Sequence, residues 1–116
     1  MLLAILLVAV HGYDNGAPSS RLPMLGWSSW VALAPGSAHP TLDYCDAASL
    51  MAAADAMEAT GLIAAGYTAF HLDDCWTGTR NASGHLHANI EHFPNGIEEV
   101  VDYVHKKGEF CAARSN

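Results

Sequence analysis

Residues able to do chemistry are concentrated in one stretch, Phe70-His71-Leu72-Asp73-Asp74-Cys75-Trp76, where an apolar run gives way to two adjacent carboxylates, a thiol and an indole. A buried strand reads this way when it ends in a binding site. Neighbouring residues on an extended strand point to opposite sides, so Asp73 and Asp74 do not suit an acid and nucleophile pair closing on one bond. Two-carboxylate hydrolysis with retention needs carboxyls about 5–5.5 Å apart across the scissile bond, usually brought from different parts of a chain. As ionised acceptors the pair suits another task. Two carboxylates at a strand end offer several acceptor sites to hydroxyl groups, and an indole such as Trp27 or Trp76 offers an apolar wall to the C–H face of a sugar. Together they describe one side of a carbohydrate pocket. The same pattern also allows a local reading, in which Asp73 caps a turn and Asp74 is solvated.

The histidines offer less. His85, His87 and His92 could be imagined as metal ligands, but no cysteine or carboxylate stands at a zinc-like spacing from them, so they read as a solvated loop and no metal site is expected. His71, within the apolar run, reads as a core or lining histidine.

The elements that position this stretch follow from the rest of the 116 residues, which leave room for one domain at most and have a globular composition. A formal net charge of −7 without a basic run excludes the electrostatic footprint of a nucleic-acid or anionic-membrane binder. Residues 1–12 open with the continuously apolar Met1 to Val10, long enough for the apolar region of a secretory signal peptide and too short to span a bilayer. Val10 and Gly12 would precede a cut that leaves Tyr13 first. The segment lacks a positive leader, and a buried strand or a mis-assigned start is the alternative. In a secreted chain Asn81-Ala82-Ser83 is a glycosylation sequon in an exposed loop.

Tyr13 to Pro23 reads as an irregular lead-in, and Met24 to Trp30 as a first strand with Trp27 near its mouth and Gly26 permitting close backbone approach. Pro35, Gly36 and Pro40 make Val31 to Tyr44 a long loop. Helix-favouring Asp46 to Ala59 places Leu50, Ala54 and Met57 on one face, with Asp46 as N-cap and Gly61 as the stop. Tyr67 to Leu72 is a second strand, and Gly78 to Phe93 a polar excursion. Ile97 to Lys107 is a second helix whose early acids and late lysines suit its dipole, and Glu109 to Ala113 starts a third strand. This order suits parallel pairing by right-handed crossovers, in a sheet that wants helices over it and more strands beside it. Cys45, before the first long helix, and Cys75, after the second strand, could share one rim of that sheet. In a secreted chain a Cys45–Cys75 disulfide is therefore expected, leaving Cys111 unpaired.

Collinear strings now add a family likeness. Tyr13-Asp14-Asn15-Gly16, Leu25-Gly26-Trp27-Ser28-Ser29-Trp30, Ala54-Asp55-Ala56-Met57, Gly61-Leu62, Ala65-Gly66-Tyr67 and His71 to Trp76 occur in the order and near the spacing of melibiase-type alpha-galactosidases. So do Arg80, Gly84, Phe93-Pro94-Asn95-Gly96-Ile97 and Tyr103 to Gly108. Over residues 13–108 the chain resembles that family.

The resemblance implies an α/β fold, the N-terminal portion of a (β/α)8 TIM barrel with about two and a half βα units, incomplete against the roughly 250 residues of such a barrel. It implies a retaining hydrolase that removes terminal alpha-linked galactose, with an alpha-galactoside as partner and no cofactor. Asp73 and Asp74 match adjacent aspartates that hydrogen-bond galactose hydroxyls, Trp27 a tryptophan lining the sugar pocket, and Cys75 a disulfide-forming cysteine with Cys45 as its partner here. The family's catalytic aspartates come from later strands, so no catalytic residue is expected before Asn116. The likeness fades after Gly108, which makes residues 13–116 a truncated barrel portion, expected to be inactive alone. Non-catalytic galactose binding and alpha-N-acetylgalactosaminidase activity are the alternatives. Location is expected to be secreted, lysosomal or vacuolar, and no motif specifies an oligomeric state.

Overall fold

Three short strands carry the architecture. A computed structural model describes residue 16, residues 23–33 and residues 46–113, the last four by backbone alone. The leader at 1–12, most of the lead-in, the loop carrying Cys45 and the side chain of Cys111 lie outside the described residues. Strands β1 (Gly26–Ser28), β2 (Ala69–Leu72) and β5 (Phe110–Ala113) form a parallel sheet in the order β1-β2-β5, with β2 central. Trp27 is in register with Phe70 and Phe70 with Cys111. Gly26 lies against β2 so closely that a Cβ there would come within 2.5 Å of the Ala69 carbonyl oxygen. Only glycine fits this contact.

Two helices cover one face. Helix α2 (Ala47–Ala59) turns Leu50, Ala53, Ala54 and Met57 inward, and α3 (Ile97–Lys106) turns in Val100 and Val104. These side chains close over Phe70 and Leu72 of β2 and over Phe93, forming one core. Fully burying a side chain of this size contributes about 1.5–3 kcal/mol. Asp46 is the N-cap of α2, its Oδ1 accepting the Ser49 N–H at 2.6 Å. A polar latch joins the helices outside the core. The Tyr103 hydroxyl donates to Asp55 at 2.7 Å, and the Lys107 ammonium reaches Asp55 and Glu58, each at 2.7 Å. The hydrogen bond from Lys107 holds the Asp55 carboxyl below its usual range, and the same contacts push the Lys107 ammonium up.

Two segments differ from their sequence-based expectation. Residues 29–33, expected to end a strand and begin a loop, form the short helix α1 (Ser29–Leu33). Its Ser29 and Leu33 are buried. The polar excursion contains a hairpin, β3 (Thr77–Arg80) paired antiparallel with β4 (Leu86–Ala88). With little apolar side-chain content, its pairing rests on backbone bonds and turn chemistry that an apolar-run criterion passes over.

Candidate sugar-binding rim at the end of the central strand

Strand β2 stops at Leu72, and the two carboxylates follow it in a tight turn rather than on the strand. Asp73 is extended (φ −83°, ψ −177°) and caps a single 3-10 turn, Asp74–Trp76, with its Oδ1 accepting the Asp74 N–H at 2.9 Å. Strand alternation is therefore not what separates the pair: Asp73 is half-buried as a cap, and Asp74 is exposed as the first residue of the turn. The turn closes when the Thr77 N–H bonds the Asp74 carbonyl. Capping occupies one acceptor position of Asp73, an ionised carboxylate has about four, and among the described residues its second oxygen takes no hydrogen bond.

A second contact fixes the backbone of this turn. The Asp73 N–H donates to the Ser29 hydroxyl at 3.0 Å, across 44 residues of sequence. Ser29 is completely buried, so the end of β2 is tied to the start of α1 inside the protein. Sequence reasoning gave Ser29 no role, although it lies within the Leu25 to Trp30 string; a serine between two aromatic residues carries no signal of a long-range acceptor.

Trp27 stacks on Phe70, with ring centroids 4.6 Å apart and planes inclined by 24°. The indole is half-buried against the core and shares a face with Phe70, while alternation gives the opposite face to Ser28 and His71, the latter also half-buried. Only the uncovered part of the Trp27 ring can reach a ligand. Trp76 also packs against the core and leads into the hairpin. Cys75 is disulfide-bonded. Asn81 stands apart, at the tip of the hairpin. A cavity of about 600 Å³ between hairpin and α3 is lined by Trp76, Leu86, Ile90, Phe93, Ile97 and Glu98 among others, and by neither carboxylate. Among the described residues no three His, Cys, Asp or Glu side chains gather as a metal site, and no helix is long and apolar enough to cross a membrane.

Residues 22–112 match the family model for alpha galactosidase A. The chain belongs to that family. A probable alpha-galactosidase of Dictyostelium discoideum is 38% identical over 108 residues, covering 93% of this chain and 26% of the relative. Human alpha-N-acetylgalactosaminidase is 37% identical over 97 residues, covering 82% and 23%. Among solved structures, alpha-galactosidase I of Mortierella vinacea superposes with a TM-score of 0.67 at 31% identity, covering 78% of this chain and 21% of that one. The chain thus spans about a quarter of the length of the alpha-galactosidase relatives it matches. In this family setting the described residues are α/β, with a three-stranded sheet that does not close on itself.

Proposed function

We propose that this chain supplies the opening βα units of a (β/α)8 barrel in a retaining alpha-galactosidase, and with them one rim of the pocket that receives a terminal alpha-linked galactose. The observation that carries this is the position of Asp73 and Asp74 at the C-terminal end of a central parallel strand, the end at which such barrels build their sites. Asp73 and Asp74 accept hydrogen bonds from sugar hydroxyls, and Trp27 offers its uncovered ring edge. The carboxylates that attack the anomeric carbon and protonate the leaving group come from other strands, because one turn cannot set two groups on opposite sides of a glycosidic bond. A Cys45–Cys75 disulfide holds the long loop beside the turn. Cys45 directly precedes the Asp46 cap, whereas Cys111 stands opposite Phe70 within the sheet. The leader at 1–12 sends the protein into the secretory route, where that bond persists.

Calorimetric titration of galactose into the purified chain tests the rim. Binding is expected, weakened about tenfold to a hundredfold by Asp73→Asn or Asp74→Asn, the equivalent of the roughly 1.5–3 kcal/mol of a hydrogen bond to a charged group. A folded chain that binds no galactose overturns the assignment. Hydrolysis of an aryl alpha-galactoside above the level of a variant carrying both Asp73→Asn and Asp74→Asn would show that the chemistry lies within these residues after all. The human relative's name supports a second reading, an alpha-N-acetylgalactosaminidase, and titration with N-acetylgalactosamine beside galactose separates the two.

A further inference from the structure

We propose that Asn81 carries an N-linked glycan at the tip of the β3–β4 hairpin, and that the turn is built so that the glycan leaves it undisturbed. Asn81-Ala82-Ser83 is the only complete Asn-X-Ser/Thr triplet in the sequence. All residues from Asn81 to His85 are exposed.

The two ends of the Asn81 amide have separate jobs. Its Oδ1 accepts the N–H of Ser83 at 3.0 Å and the N–H of His85 at 2.9 Å, using both lone pairs of a carbonyl oxygen. Backbone bonds complete the turn: Asn81 N–H to the His85 carbonyl at 2.9 Å and Gly84 N–H to the Asn81 carbonyl at 2.9 Å. Gly84 supplies the positive φ of +82° that the turn requires, and Arg80 Nη1 donates to its carbonyl at 2.9 Å. Among the described residues nothing accepts a hydrogen bond from Nδ2, which is left for solvent or for modification.

The transfer needs only that free end. Nδ2 displaces a diphosphate from the anomeric carbon of a lipid-linked oligosaccharide diphosphate. The N–C bond forms, the C–O bond breaks with its electron pair going to the diphosphate, and one Nδ2 proton is lost. No electron is gained or lost overall. The amide oxygen is untouched, so both bonds that close the turn survive.

This inference rests on the secretory entry proposed above, so the test supplies its own leader. The full chain is translated behind a cleavable secretory leader of established function into microsomes, and its mass is read before and after peptide-N-glycosidase. Wild type and Ser83→Thr are expected to gain one enzyme-sensitive glycan, which Ser83→Ala and Asn81→Asp lose. Asn81→Asp keeps an oxygen acceptor, so unchanged amide protection at Ser83 and His85 separates loss of the acceptor nitrogen from loss of the turn. An unmodified wild-type chain whose leader has been cleaved overturns the proposal, as does a glycan mapped to another residue. If the chain's own leader fails while the supplied leader succeeds, the targeting is refuted and the site stands.

Discussion

The buried hydroxyl of Ser29 accepts the backbone N–H of Asp73 at 3.0 Å, joining the first turn after β1 to the residue that opens the acidic turn after β2. Ser29→Ala removes the acceptor of that N–H on its buried side, where Ser29 is fully enclosed. The expected cost is about 1–3 kcal/mol, the price of an unsatisfied buried polar group. Hydrogen exchange at the Asp73 amide reads it directly, since protection there should fall further than at Phe70. Equal protection in variant and wild type would mean that the bond does not order the turn.

Gly26 makes a second prediction on the same pair of strands. A methyl group at 26 would meet the Ala69 carbonyl oxygen at 2.5 Å and the Ala69 Cβ at 2.7 Å, both on the partner strand and unable to swing aside. Gly26→Ala should therefore push β1 away from β2 and lower stability by about 1–3 kcal/mol, the usual range for overpacking. A urea midpoint equal to that of wild type would show that the sheet absorbs the methyl group.

Which features could be read from the chain depended on how many levels of signal agreed. Helix α3 has apolar positions at helical spacing, early acids and late bases, and its expected and observed bounds differ only at the last residue. Helix α2 is harder, because Ala48, Ala52, Ala56 and Ala59 on its outer face blur the contrast between sides; Asp46 and the Leu50, Ala54, Met57 spacing still located it. Gly26 was legible because a glycine inside an apolar strand signals close approach. The hairpin was not, since Thr77 to Arg80 and Leu86 to Ala88 bury little and pair through backbone. At the candidate site the residue types were legible, and so was the local reading in which Asp73 caps a turn and Asp74 is solvated. The long-range geometry was not: that Ser29 anchors Asp73 and that Trp27 packs part of its ring on Phe70 both depend on contacts between residues more than forty apart.

Asp46 tests the local level alone. Its Oδ1 takes the Ser49 N–H at 2.6 Å and its Oδ2 the Ser49 hydroxyl at 3.1 Å. Asp46→Ala removes both acceptors and should cost about 0.5–2 kcal/mol, whereas Asp46→Asn, itself a strong cap, should keep most of the stability. Urea midpoints of the two variants that coincide would count against the cap as the source of the effect.

Glu109 sets the pH dependence. Only 4% exposed, with neither carboxylate oxygen hydrogen-bonded among the described residues, it sits between the end of α3 and the start of β5. Burial raises its pKa from the ordinary 4.5 to about 7, with Lys107 opposing the rise and Glu58 adding to it. A carboxyl raised on folding binds its proton more tightly in the folded state, so its contribution is fully present below the unfolded value and is lost as pH climbs through the folded one. Asp55 works the other way: its pKa is lowered from 3.8, so its contribution is lost only as pH falls below that range. Among the described residues, Glu109 is the group shifted across the interval from about 4.5 to about 7. Urea midpoints at about pH 5 and about pH 8 should show wild type less stable at the higher pH, and Glu109→Gln, which cannot ionise, should lose that difference. A wild-type midpoint that does not move across the interval, or a slope that persists in the glutamine variant, would place the titrating group elsewhere.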